Sequence, residues 1–200
     1  MIRIKLLLIV TVLILSGFTS HNNKPYLSRW VISKGCSLKV GGSTNVNKFS
    51  CVIAGYNRPD TLTFYNESAG AQIRINGAMK LDVQNFDCHN PVMTSDLRKT
   101  LKAKTFPTLT IRFISINSYP GSQQETFVKG AVSIELAGVI KKFDVNYRYI
   151  PGAARTAILI GTQKVSFTDF DLMPPRKIGG MIQTNDELNV EFNLKVKILN

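Results

Sequence analysis

The 200 residues predict an all-β fold, an antiparallel eight-stranded barrel accompanied by one short α-helix. Three observations carry this. Ile73, Ile75, Gly77, Met79, Leu81 and Val83 alternate with Gln72, Arg74, Asn76, Ala78, Lys80 and Asp82, and Leu188, Val190, Phe192, Leu194, Val196 and Ile198 alternate with Asn189, Glu191, Asn193, Lys195 and Lys197. That period of two belongs to half-buried strands. Shorter runs of the same period, punctuated by Gly, Pro and Asn, fill most of the remainder. Only Met93 to Ile116 departs from it, where helical spacing breaks at Pro107 and passes directly into a strand. Seven or eight antiparallel strands favour closure, because a closed sheet leaves no edge to aggregate.

Taken in order, Trp30, Ile32, Leu38 and Val40 form a first strand with an irregular centre at Lys34-Gly35, after a loose lead-in from His21 to Ser28. Phe49, Cys51 and Ile53 make a second, and Leu62 and Phe64 a short one before a loop at Asn66 to Gly70. The row from Ile73 to Val83 reads as one strand bent at Gly77. Met93, Leu97 and Leu101 fall at i, i+4 and i+8, on one helical face, with Arg98, Lys99 and Lys102 toward water. Thr94 or Ser95 caps the start, Asp96 sits in the first turn, Lys102 and Lys104 lie near the end, and Pro107 stops the helix. Leu109, Ile111 and Phe113 then alternate as a strand, and the change of phase at Ile114 and Ile116 predicts a bulge near Phe113. Val128, Gly130, Val132, Ile134 and Leu136 pair through the Ala137-Gly138 turn with Phe143, Val145, Tyr147 and Tyr149. Ala157, Leu159, Val165 and Phe167 mark the seventh strand. Between Asp169 and Asn185 the period is lost, as expected of a long connection that forms a lid or mouth.

The N-terminus has Arg3 and Lys5 ahead of an unbroken apolar run from Leu6 to Leu15, followed by small and polar residues. Residues 1–20 therefore read as a signal peptide and residues 21–200 as one domain in the periplasm or outside the cell. The run is short for a membrane span, which favours cleavage over anchoring. No cysteine follows it, so a lipoprotein anchor is not expected. Removing Arg3 and Lys5 leaves 23 basic against 13 acidic residues and a net charge of +10. This suits an anionic membrane surface or a phosphate-bearing ligand, and export argues against nucleic acid as the partner.

The run DLRKTLKAKTFPTLTIRF resembles the signature [DH]-L-x-x-x-L-x-x-x-x-[YF]-P-x-[IL]-x-F of the YceI-like family, with Leu97, Leu101, Phe106, Pro107, Leu109 or Ile111 and Phe113 supplying the match. Trp30 opening the first strand, GSTNVNKFSC after it, the strands around Gly138, SFTDFDL and NVEFNLKV are similar too. The resemblance runs from about Trp30 to Val196. It implies a lipocalin-like barrel in the periplasm that binds a polyisoprenoid or other long-chain lipid inside. The chain departs from the family pattern in its three cysteines and in extra residues around Thr61 to Gly77.

Three cysteines in an oxidising compartment permit one bridge and leave one thiol over. The FSC and FDC contexts place Cys51 and Cys88 at strand edges flanking the same stretch, and similar YceI-like sequences carry cysteines there, so the pairing expected is Cys51 with Cys88. Cys36 shares parity with Leu38 and Val40 and is expected to be a buried thiol.

No catalytic constellation emerges. The Cys88-His89 pair is read as a disulfide beside a loop histidine, Asp169 and Asp171 as a turn, and Gly41-Gly42-Ser43-Thr44 lacks the lysine and the βαβ setting of a phosphate loop. Zinc is disfavoured because the cysteines are not closely paired and only His21 and His89 are available to join them. No cofactor is expected.

Eight strands leave an interior that side chains fill or that holds one small ligand, and composition does not choose between the two. The resemblance favours a cavity. The lining expected comes from Ile75, Met79, Leu81, Phe86, Met93, Leu97, Leu101 and Phe113 in the first half and Val132, Ile134, Phe143, Tyr147, Phe167, Val190, Phe192 and Leu194 in the second. Arg176 and Lys177 on the long connection are expected at a lipid head group, with Lys141 and Lys142 as an alternative. Rival readings are an envelope interaction protein with a filled barrel and, further off, a hydrolase. One tryptophan and no aromatic girdles argue against an outer-membrane barrel. A dimer remains open.

Overall fold

The computed structural model describes residues 26–56, 58–66, 72–121 and 123–199. The expectations for the signal segment 1–20, the lead-in 21–25 and the loop 67–70 lie outside these.

Strands β1 (Tyr26–Ile32) and β2 (Cys36–Ser43) are one long strand interrupted at Lys34-Gly35, and β3 (Lys48–Tyr56) and β4 (Thr61–Asn66) run back along it as a second. Strands β5 (Ile73–Asn76) and β6 (Ala78–Asp82) form a third, broken at Gly77, where a Cβ would stand 2.6 Å from the Thr61 carbonyl oxygen. Then follow β7 (Thr108–Ile116), β8 (Thr126–Leu136), β9 (Val139–Pro151) and β10 (Thr156–Ser166), all antiparallel neighbours in sequence order. A two-stranded ribbon, β11 (Arg176–Lys177) with β12 (Ile182–Gln183), interrupts the connection to the final strand β13 (Glu187–Ile198). β13 pairs with β10 on one side and with β1 and β2 on the other, so the sheet closes. Counting each bent pair once, the result is the antiparallel eight-stranded barrel with a single α-helix that the alternation predicts. The bulge near Phe113 is present as a register shift between Phe113 and Ser115.

Several expectations need correction. The first strand begins at Tyr26, so Ser28 belongs to it and is fully buried. Helix α1 spans Pro91–Thr100, and Asn90 caps it through a side-chain oxygen that accepts from Met93 N at 3.0 Å. Proline at the first helical position favours that start, since its missing N–H has no partner to lose there. Thr94 is buried instead, its hydroxyl accepting from Cys88 N at 3.0 Å, and Asp96 lies beyond the first turn. The helix ends at Leu101, well before Pro107, because Lys102 takes a left-handed conformation. Lys102 and Lys104 thus lie outside it, and Arg98 turns back to donate to the Phe86 carbonyl at 2.9 Å. The connection after Asp169 is also more ordered than its lost period suggests. Its ribbon is tied to the β2–β3 turn by Asn45, which donates to the Met181 carbonyl at 2.9 Å and accepts from Gln183 N at 3.0 Å.

The interior is filled at one end and in the middle. Beneath the turns that follow β7 and β9, Trp30 packs on Phe64 with ring centroids 4.4 Å apart and donates to the Tyr119 hydroxyl at 2.8 Å. Below them Phe192 meets Phe113 and Tyr147 edge-on at 5.9 and 5.8 Å. Gly161 makes this packing possible, because a Cβ there would sit 2.0 Å from Phe192 Cζ. The Tyr147 hydroxyl is buried and finds no hydrogen-bond partner among the described residues, and burial pushes its phenol well above the usual range.

The ring of strands has one gap. β4 pairs with β5, but lower down β3 has no strand partner in β6, and residues 86–88 take that place. Val52 N donates to the Asp87 carbonyl at 2.7 Å, Asp87 N returns a bond at 2.9 Å, and a disulfide joins Cys51 to Cys88 as expected. The remaining Cys36 is a buried thiol that donates to Ser33 O at 3.1 Å and accepts from Lys195 N at 3.2 Å, with desolvation raising its pKa.

Two stability measurements check this packing. With 37 residues separating the cysteines, replacing both by alanine (C51A/C88A) should cost about 3–4 kcal/mol in urea denaturation if the bridge acts chiefly on the unfolded chain. Tyr147→Phe should be neutral or stabilise by up to about 1 kcal/mol, since it removes a buried polar group that lacks a partner.

Candidate functional site

The barrel end opposite the Trp30 cluster is built mostly from aliphatic side chains, and α1 lies across it. Its core of empty space is a cavity of about 60 Å³ lined only by apolar residues. Of the predicted lining, Phe86, Leu97, Leu101, Ile134 and Val190 face this cavity. Leu38, Val40, Leu109, Ile111 and Leu136, with Val165, Phe170 and Leu188, complete it and were absent from that set. All but Phe170, which lies in the turn after β10, sit in the same alternating rows, so their inward orientation is legible in the sequence. Their depth along the barrel axis is not.

A second space opens beside the first. Between α1, the β2–β3 turn and the ribbon of β11 and β12 lies a mouth of about 370 Å³. Met93, Leu97, Phe167 and Lys177 of the predicted set line it, together with Val46, Phe49, Cys51, Val92, Ile178 and Ile182. Leu97 borders both spaces, the one residue common to their linings. Lys177 forms an ion pair with Asp96 that joins the ribbon to α1 across the mouth. Partly exposed, such a pair contributes at most about 1 kcal/mol.

The other predicted residues lie elsewhere. Ile75, Met79, Leu81, Phe113, Val132, Tyr147, Phe192 and Leu194 are buried in the solid part of the core, and Phe143 packs at its margin against Phe170 with centroids 5.9 Å apart. Arg176 is exposed on the ribbon next to the mouth, and Lys141 and Lys142 are exposed on β9.

Two of the groups weighed for catalysis are engaged structurally: Cys88 is in the disulfide, and the Asp169 carboxylate accepts from Ser166 N at 2.8 Å in a turn. His89 is exposed in the loop before α1, where its backbone N–H donates to the Asp87 carboxylate at 2.8 Å. Among the described residues no three His, Cys, Asp or Glu side chains converge on a metal position.

A closed eight-stranded barrel capped by one helix, with an apolar cavity beneath that helix, carries the DLRKTLKAKTFPTLTIRF run at the cap itself. The sequence profile of the YceI-like domain matches residues 36–196. This chain belongs to the YceI-like family. Its barrel resembles that of Burkholderia cenocepacia BcnA, 15% identical, with a TM-score of 0.60 over 82% of this chain and 96% of that one. A polyisoprenoid-binding domain from Saccharophagus degradans, implicated in plant cell wall breakdown, is 12% identical with a TM-score of 0.59 over 86% and 99% of the two chains. At these identities the likeness is one of fold. No curated protein sequence matches.

In this YceI-like barrel the role of Leu97, common to cavity and mouth, is testable. Leu97→Ala should destabilise the protein by about 2–5 kcal/mol in chemical denaturation. A saturating long-chain lipid that fills the enlarged space should recover part of that loss, measured as a rise in melting temperature larger than in the unmutated protein.

Proposed function

We propose that this is an exported lipid-binding protein that holds an isoprenoid or similar long-chain amphiphile at the helix end of its barrel and performs no catalysis. The observation that carries the reading is the wholly apolar cavity beneath α1 with a larger mouth beside it, both bordered by Leu97. About 60 Å³ is far below the roughly 300–1,000 Å³ of ordinary ligand sites, whereas the mouth lies inside that range. A chain therefore lodges first in the mouth and reaches the cavity when Leu97 turns aside. Each methylene transferred contributes about 0.8 kcal/mol, so a few five-carbon units suffice without polar contacts. Arg176 and Lys177 on the ribbon are positioned to meet an anionic head group outside.

Family membership and the Saccharophagus degradans domain, which binds polyisoprenoid, support the ligand class. Export to the periplasm or beyond is supported by the basic and apolar N-terminal run and by a disulfide, which persists in oxidising compartments. The solid, aromatic half of the core favours a second reading, an envelope interaction protein whose barrel needs no lipid.

Organic extraction of the purified protein followed by mass spectrometry separates the two. One lipid per chain, or uptake of an added isoprenoid that Leu97→Trp abolishes, is the expected result. No extractable lipid and no uptake would leave the interaction protein as the function.

A further inference from the structure

Nine large apolar side chains are exposed among the described residues, and they are not evenly spread. Val46, Val92 and Ile178, exposed by 64, 64 and 67%, line the mouth, and Met181, exposed by 72%, is the residue whose carbonyl Asn45 holds beside Val46. They come from three separate elements: the β2–β3 turn, the first turn of α1 and the ribbon. Single exposed apolar residues are ordinary, but convergence on one opening marks an interaction surface. Phe127 and Ile140, comparably exposed on β8 and β9, make the contrast, since each stands opposite a charged neighbour, Arg148 and Glu135.

From this convergence we infer that the rim of the mouth is a docking surface for an anionic lipid bilayer, an inference that rests on the lipid-binding reading above. The rim residues seat in the interface while Lys48 and Arg176, exposed and next in sequence to the mouth-lining Asn47 and Lys177, meet lipid phosphates; Lys177 is already paired with Asp96. Charge selects the bilayer over a second copy of the chain. The sequence carries a formal charge of +12, or +10 without residues 1–20, so two copies of the chain repel, whereas an anionic surface attracts. Continuity with the cavity selects it too, because a lipid tail that passes from bilayer to barrel through a seated mouth never crosses water.

Flotation of the purified protein with phosphatidylglycerol–phosphatidylcholine vesicles, and with phosphatidylcholine vesicles alone, tests this. The expected result is flotation with the anionic vesicles that weakens in high salt. The combined variant V46S/I178S/M181S should bind them at least roughly tenfold less well, about 1.4 kcal/mol. The control F127S/I140S should match the unmutated protein, and thermal melts of both variants establish that they are folded. Undiminished flotation of the folded triple variant overturns the inference. So does failure of the unmutated protein to float, or a dimer in light scattering that the triple variant dissociates. Extraction of the same preparation keeps the two ideas apart: flotation without extractable lipid overturns the carrier reading and leaves the docking surface standing, and lipid without flotation does the reverse.

Discussion

A sheet that curls into a barrel must pair its last strand with its first, and β13 meets that demand along nearly its whole length, against β10 on one side and the bent strand of β1 and β2 on the other. That closure puts Leu188 through Ile198 on one continuous row and brings together residues more than 150 positions apart in sequence, such as Leu38 and Phe192. It also fixes the bore. Eight strands leave room for side chains or for one small ligand, and here both solutions occur in one molecule. Large rings occupy the bore at the Trp30 end and at the level of Phe192, and a mainly aliphatic lining leaves space at the other.

The same constraint explains why the helix and the disulfide lie where they do. Because β3 and β6 do not pair, the barrel wall has a seam, and unpaired backbone there would need other partners. The segment leading into α1 supplies them through Val52 and Asp87, and the Cys51–Cys88 bridge fastens it. Once anchored, α1 can only lie across the open end, where Leu97 and Leu101 form its roof. The outward faces remain polar: Lys142, Asp144, Asn146 and Arg148 on β9, and Asn189, Glu191, Lys195 and Lys197 on β13, are exposed. This is the reverse of the apolar outer band of a membrane-spanning barrel.

The proposed lipid binding rests on the unequal filling of the two halves. A barrel packed solid throughout could present only its surface, and one hollow throughout would lose the aromatic core that holds its far end together. With the space confined beneath a short helix, a ligand needs to displace little beyond Leu97 and the weak Lys177–Asp96 contact. The mouth lies between elements of very different sequence position, residues 44–51, 90–97 and 167–184, which is why no local motif announces it.

By itself the sequence determined the eight barrel strands apart from the start of the first, which side of each faces inward, the bend at Gly77, the bulge at Phe113, the disulfide partners and the family, but not the ribbon of β11 and β12. These rest on period, turn chemistry and a local signature, all of which are properties of neighbouring residues. Helix boundaries were less legible, because Asn90 and Pro91 outcompeted Thr94 as the start and Lys102 ended the helix by backbone conformation alone. Only the tertiary structure decided how deep each inward side chain sits, and hence that Tyr147, Phe192 and Leu194 are solid core while Val40, Leu109 and Val165 border empty space. Alternation carries one bit per residue, inside or outside. Depth depends on the stagger between neighbouring strands around the closed ring, which no single strand encodes.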